Sequence, residues 1–274
     1  MTNGTSATTI QQATTSYQES TVPPPRGGEW IQHPNLEETG NVLGRAFAGT
    51  DKVAGEPISA WVCNHLDKSW FTNKERIEAS SFFLKMEIMK ALRKGTMIVS
   101  KEVDDEAVSA MVVIESDPTK HRGLGSKIMA AWEDFQVFWT MAIRHKVPAL
   151  FTKKEHKEEF SYFQKKVNML QSNIVQLHHD LGPQELHWYV KLVGVVPDQG
   201  GKGYGREILE RVNSLADDAG MACYLECGAN RRGLYEKVGY RVVATKSLKD
   251  PVYPDKREPV DICLMVRQPV TSTN

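Results

Sequence analysis

The chain has 274 residues, of which 41% are hydrophobic and 25% charged; 34 basic and 34 acidic side chains leave a formal net charge of +0. This balance fits a globular protein with room for a substantial core, and it excludes a broad basic field, so nucleic acid is not an expected partner. No apolar run approaches the ~20 residues of a membrane span, so no membrane partner is expected either.

The first 28 residues are rich in Thr, Ser and Gln and end in Pro23-Pro24-Pro25. With so little apolar surface to offset the entropy of ordering, a disordered tail is expected over 1–28. The start has neither the basic cluster nor the apolar run of a secretory signal. The four cysteines, Cys63, Cys223, Cys227 and Cys263, are scattered without metal-ligand spacing. They read as reduced thiols of a cytoplasmic protein, with no metal.

A short strand is expected over 29–32, and Asn35 is placed to cap a helix that Gly49 closes. Residues 50–71 show little periodicity but hold Trp61, Cys63, His65 and Trp70, a pattern that suits either a pocket wall or a loop tucked into the core. Thr72-Asn73-Lys74-Glu75 is a capping box, and the helix it opens should stop near Gly95. Two strands joined by a turn at Asp104-Asp105 predict a hairpin.

Residues 123–182 read as mostly helical. Phe160, Phe163, Val167, Leu170, Ile174 and Leu177 repeat at spacings of three and four, with Lys154, Glu155, Lys157, Glu158, Lys165 and Lys166 assigned to the outer face. The helix therefore packs on a sheet or against a second copy. His178 and His179 end it; neighbours on a helix point apart, which argues against a shared metal.

The most informative stretch is 187–208. Residues 188–196 are β-branched and aromatic, so they predict a strand, which Pro197 ends. Gly200, Gly201, Gly203 and Gly205 follow, and then Ile208, Leu209, Val212 and Leu215 recur at helical spacing. Strand, glycine loop and helix start together aim bare N–H groups and the positive end of a helix dipole at one point, which suits a phosphate or pyrophosphate. Lys202 is followed by Gly203 rather than Ser or Thr, so the loop is not a P-loop. Neither Gly201-x-Gly203 nor Gly203-x-Gly205 is completed by the third glycine of a dinucleotide-binding turn, so that reading fails as well. Strands over 221–226, 240–245 and 261–266 and a short helix over 230–237, stopped by Gly239, complete the expected order.

Val195-x-Pro197 followed by Gly201-x-Gly203-x-Gly205 resembles the pyrophosphate motif of the GNAT N-acetyltransferases. Gly200 stands where that family has Gln or Arg, and Gln199 lies one residue early. A second stretch, Tyr224-Leu225-Glu226 and then Leu234-Tyr235-Glu236-Lys237-Val238-Gly239-Tyr240, is similar to the family's Leu-Glu and Leu-Tyr-Glu-Lys-x-Gly-Phe segments. Within the family the likeness is greatest to the puromycin N-acetyltransferase group. The resemblance implies a single α/β domain over 29–268, built on a mixed twisted sheet that splays between its central strands. The helical insertion is expected at about 123–182 and the acetyl-CoA-binding core at about 187–245.

Further expectations come from the resemblance alone. Backbone groups of Val193, Gly194 and Val195 would bond the thioester and pantetheine of acetyl-CoA. The amides of Gly200, Gly201, Lys202, Gly203, Tyr204, Gly205 and Arg206 would hold its pyrophosphate, and Asn230 would touch the pantetheine. Tyr235 lies where the family has its general acid. Glu226 matches a position that serves some relatives as base, with a structural carboxylate as the equal alternative. A small-molecule primary amine is the expected acceptor, with Trp61 and Trp188 as candidate contacts and a monomer or homodimer as the assembly. A peptide acetyltransferase, a catalytically degenerate CoA-binding protein and a nucleotide-binding regulator or oxidoreductase are the alternatives.

Overall fold

In the computed structural model, which describes residues 29–32, 35–50, 58, 61–62, 64–65, 68–69, 72–92, 96–118, 136–137, 139–143, 147 and 157–270, strand β1 (Glu29–Gln32) leads into helix α1 (Leu36–Ala48). The Asn35 side chain caps α1 by accepting from the Glu37 amide at 2.8 Å, and Gly49 leaves it at φ 72°, where a Cβ would be strained. Strands β2 (Asn64–His65) and β3 (Lys68–Ser69) pair with each other. Helix α2 (Asn73–Leu92) opens on the expected capping box: the Glu75 amide donates to Thr72 Oγ1 at 3.3 Å and the Thr72 amide to Glu75 Oε2 at 3.0 Å. Strands β4 (Met97–Val103) and β5 (Glu106–Ser116) form the hairpin, and Asp104 and Asp105 both take the positive φ that a tight turn of this hand requires.

After helix α3 (Lys157–Leu181) come β6 (His187–Val195), α4 (Tyr204–Asp218), β7 (Ala222–Gly228), the short α5 (Arg232–Glu236), β8 (Arg241–Leu248) and β9 (Val260–Arg267). The seven-stranded sheet runs β1-β4-β5-β6-β7-β9-β8. It is antiparallel except at its centre, where β6 and β7 are parallel. The expected tail over 1–28, Cys63, Trp70, Gly95, Gly123, Lys154 and Glu155 lie outside the described residues.

Each face of the sheet buries a different set. Ile208, Leu209, Val212 and Ala216 of α4 pack on Val99, Met111, Val113, Val190, Cys223 and Leu225. On the opposite face Val42 and Leu43 of α1 and Leu84 and Ile88 of α2 cover Ile98, Ala110 and Val112, while Leu177 of α3 sits on Tyr224 and Leu264. Burial of this kind stabilises by roughly 25 cal/mol per Å² of apolar surface, so the sheet carries most of the fold's stability. In the described part of the insertion, Val137 and Met141 pack on Phe82 of α2.

The outer-face expectation for α3 fails at Lys166, which is fully buried. Its ammonium donates to the Trp61 carbonyl at 2.6 Å and lies 4.3 Å from the centre of the Tyr162 ring and 5.2 Å from that of Trp61. A long cationic side chain can be buried when aromatic faces and a carbonyl replace its water. Tyr162 lies one turn earlier on α3, but the Trp61 ring and carbonyl that complete the cage come from a distant segment that the spacing of α3 could not reveal. Tyr162 in turn donates to Asp250, which also accepts the Val252 and Tyr253 amides and so ties the β8–β9 connection to α3.

Candidate active site

Parallel pairing of β6 with β7 is confined to His187, Trp188 and Tyr189, opposite Ala222, Cys223 and Tyr224. Beyond Tyr189 the two strands part, and β6 continues to Val195 paired with β5 alone. A register jump helps to turn it away: Val113 faces Val190 while Val112 faces Leu192, leaving Lys191 as the extra residue of a bulge. Gly194 lies beneath α1. A Cβ there would stand 2.7 Å from the Ala46 Cβ and 3.1 Å from the Leu43 side chain, so glycine is needed for the helix to approach.

At the end of β6 a 3-10 turn (Pro197–Gln199) leads into the glycine loop. Gly201 has φ 77° and Gly203, the N-cap of α4, has φ 93°. A Cβ on either would find no protein atom within 4 Å. The amides of Gly200, Arg206 and Glu207 bond to loop carbonyls, whereas those of Gly201 to Gly205 take no part in the loop's backbone hydrogen bonds. The result is a run of free N–H donors at the start of a 15-residue helix, with open space above them. Around the loop, Lys202 donates to Gln199 at 2.6 Å, Arg45 of α1 pairs with Asp198 at 2.9 Å, and Arg206 pairs with Glu210 at 2.7 Å. Beneath it the fully buried Lys101 bonds Glu207 and lies 4.9 Å from the centre of the Tyr204 ring, fixing α4 to β4.

Glu226 stands on β7 just past the last residues paired with β6. Its Oε1 is buried without a hydrogen-bond partner, and so is the Tyr224 hydroxyl. The phenols of Tyr189 and Tyr224 are close enough to couple to this carboxylate although Tyr224 does not reach full hydrogen-bond geometry. Burial pushes Glu226 up to about 7, against the opposing pull of Tyr189, Tyr224 and Lys191. Burial and the nearby carboxylate keep both phenols protonated.

Behind Tyr224 lies a pair of histidines that sequence reading did not assign to the site. His187 Nδ1 is 2.7 Å from the Glu185 carbonyl, an acceptor only, so Nδ1 carries the proton. His187 Nε2 therefore accepts, and His178 Nε2 donates to it at 2.8 Å. The His178 ring stacks on Tyr224 at 4.3 Å. Burial, then the neighbouring His187, drives His178 down to about 4, so the ring is neutral near pH 7. His179 points outward, as the helical spacing required.

Tyr235 is buried beside the glycine loop's helix: Leu234, its neighbour on α5, is the side chain nearest Gly205 after Val195. Its ring meets that of Tyr240 edge-on at 6.1 Å. If Tyr235 supplies a proton to a leaving thiolate, Tyr235→Phe should lower turnover by about ten- to a thousandfold with little change in acetyl-CoA affinity, as steady-state kinetics with calorimetry would show. Equal loss of both would mark it as packing alone.

The other predicted site residues separate. Val193 and Val195 lie on the free-running part of β6, and Asn230 is exposed in the turn before α5. Trp188 packs on the α4 side of the sheet, opposite the face that carries Tyr189 and Tyr224. Trp61 is buried, donates to the Glu258 carbonyl at 3.3 Å, and has Lys166 and Arg257 over its ring. Among the described residues no cluster of His, Cys, Asp and Glu is arranged to hold a metal ion, and no helix is long and apolar enough to cross a membrane.

A mixed sheet that parts between two parallel central strands, with a glycine loop and a helix start at the parting, defines the GNAT fold. Solved structures share it. An acetyltransferase from Corynebacterium glutamicum described as histone acetyltransferase HPA2 and related acetyltransferase matches with a TM-score of 0.51 at 15% identity, over 91% of this chain and 100% of that one. Arylalkylamine N-acetyltransferase 2 of Aedes aegypti matches with a TM-score of 0.53 at 10% identity, over 89% and 99%. In sequence, an uncharacterized N-acetyltransferase of Schizosaccharomyces pombe is 30% identical over 88 residues, which span 31% of this chain and 33% of the relative. No family model matches. The chain thus has the fold of the GNAT acetyltransferases.

Proposed function

We propose that the chain moves the acetyl group of acetyl-CoA directly to a primary amine of a small molecule. The observation that carries this reading is the parting of β6 from β7, with free amides at one end and a buried, unpartnered carboxylate oxygen beside it. The donor set fits the cosubstrate. Amides from Gly201 to Gly205 suit a pyrophosphate, whereas those of Gly200 and Arg206 are already taken by loop carbonyls, and backbone groups of Val193, Gly194 and Val195 that face away from β5 suit the amide-bearing pantetheine arm and the thioester carbonyl. Asn230 is assigned to the same arm.

Glu226, raised to about 7 by burial, takes the proton of the substrate ammonium. The neutral amine attacks the thioester carbon, the tetrahedral oxyanion is held by β6 amides, the attacking nitrogen loses its second proton to bulk water, and the C–S bond breaks. Tyr235 donates the proton that the departing thiolate requires, and bulk water resupplies it. The acceptor class follows the sequence likeness to the puromycin N-acetyltransferase group. The length that residues 123–182 add before β6 supports the same class. Trp61 and Trp188 are both engaged in packing.

Incubating the purified chain with acetyl-CoA and a panel of aminonucleosides, polyamines, arylalkylamines and peptides, with product mass as readout, tests the proposal. Acetylated small amines are expected. Acetylated peptides alone would replace the acceptor class, and acetyl-CoA binding without any transfer would make the chain a CoA-binding protein.

A further inference from the structure

We propose that Glu87 of α2 is a positioning residue that holds the Lys191 ammonium away from Glu226 and so keeps the Glu226 carboxylate free of an ion pair. The inference rests on Glu226 being the base of the proposed reaction, and it assigns a task to two charged residues that the reaction itself does not use.

Register sets up the problem. Tyr189 and Tyr224 are the last residues paired between β6 and β7. Two positions further on, Lys191 stands on one lip of the parting and Glu226 on the other. Opposite charges on adjacent strands at this spacing ordinarily pair. Here they do not. Lys191 Nζ donates to Glu87 Oε2 at 2.5 Å, and Glu87 Oε1 accepts from Lys90 at 3.0 Å. Glu226 Oε1 is left buried and unpartnered. Alternation along β6 puts Lys191 on the same face as Tyr189, the face that α2 covers, so its side chain can reach Glu87.

The electrostatics are consistent with this diversion. Burial pushes Glu87 up, but Lys191 and Lys90 outweigh it and hold the carboxyl below its ordinary value, so Glu87 stays charged. The groups that face Glu226 are Tyr189 and Lys191 from β6 and Tyr224 from its own strand. Glu87 and Lys90 stand behind Lys191, and the neutral pair His178 and His187 behind Tyr224. Lys191 is the cation among those that act on Glu226, and it acts from a distance without a bond. A bonded ammonium would stabilise the carboxylate and weaken it as a base. Glu87 thus separates two requirements: a cation near enough to limit the cost of a buried carboxylate, and a lone pair left open for the substrate proton.

The test reads Glu226 directly, by carbon-13 NMR titration of its carboxyl in the full chain, alongside the pH dependence of kcat/KM. Glu87→Gln should release Lys191 to Glu226 and lower the Glu226 midpoint by about one to two pH units, with the acid limb of kcat/KM following. Adding Lys191→Met to that variant should return the midpoint to its original position or above. Glu87→Asp should leave it near the original. A midpoint that does not move in folded Glu87→Gln overturns the proposal. Should that variant not fold, Lys191→Met alone decides: the midpoint must stay or rise, and a fall overturns the idea. Failure of the base reading looks different. In that case the carboxyl still responds to Glu87→Gln, while Glu226→Gln leaves the kinetic limb in place.

Discussion

Replacing Glu226 by Gln is expected to lower kcat/KM by about a hundred- to a thousandfold and to abolish the acid limb of its pH profile. The carboxyl is raised to about 7 by burial, opposed by Tyr189, Tyr224 and Lys191. A general base works only when deprotonated, so activity should rise as pH rises through about 7 and level off above it. A glutamine keeps the size of the side chain but cannot take a proton at any pH, so the variant should show a low and flat profile. The measurement is kcat/KM against pH for both proteins on one acceptor. An unaltered limb in Glu226→Gln would assign Glu226 to structure, with Tyr189 and Tyr224 as its partners. The midpoint matters as much as the amplitude: an exposed glutamate would put the limb near ~4.3, far below the working range of most enzymes.

Acetyl-CoA binding should fail when the glycine loop is filled. At Gly203 a Cβ would meet no protein atom within 4 Å, so Gly203→Val points its side chain into open space where a ligand's phosphates would lie. It also forces a β-branched residue to φ 93°, which costs about 1–2 kcal/mol of stability. Gly205→Val is the complementary probe, because its backbone is ordinary helix and its Cβ would touch Val195 at 3.4 Å and Leu234 at 3.8 Å. Both variants should weaken acetyl-CoA binding by at least about a hundredfold, since a clash at the phosphates cannot be relieved by a small rotation. Calorimetry with a parallel melting curve separates the two effects. Undiminished affinity in both variants would remove this loop from the cosubstrate site.

Much of this arrangement was legible in the sequence because it is local. The capping box at Thr72, the Asn35 cap, the Asp104-Asp105 turn and the order of strand, glycine loop and helix each depend on neighbours a few residues apart. The β6–β7 parting was expected only through the family resemblance, and the register bears it out. The polar groups around Glu226 could not be read. Glu87, Lys191, Tyr224, His178 and His187 come from four elements, and nothing in any one of their local patterns distinguishes them from solvated charges or packed rings. The alternation of β6 offered one signal. His187, Tyr189 and Lys191 put polar groups at every second position of a strand otherwise rich in valine. Lys166 failed for the same reason in reverse: its helical position reads as outward, and the distant Trp61, together with Tyr162 one turn away, makes burial tolerable. Gly194 was assigned for a ligand's sake, whereas the close approach of α1 already demands it.

The parting of β6 and β7 also changes what kind of sheet this is. A seven-stranded sheet ordinarily has two borders, but this one has unpaired strand borders in its interior as well, on β6 beyond Tyr189 and on β7 beyond Tyr224. Interior borders of this kind are open templates for any extended chain that can slide between them. An occupant with its own amide groups would serve as a substitute strand and knit the two halves of the sheet together. The unoccupied protein should thus be the looser one, breathing across its own middle, and the first amides to exchange with heavy water should lie in the centre of the sheet as well as at its rim.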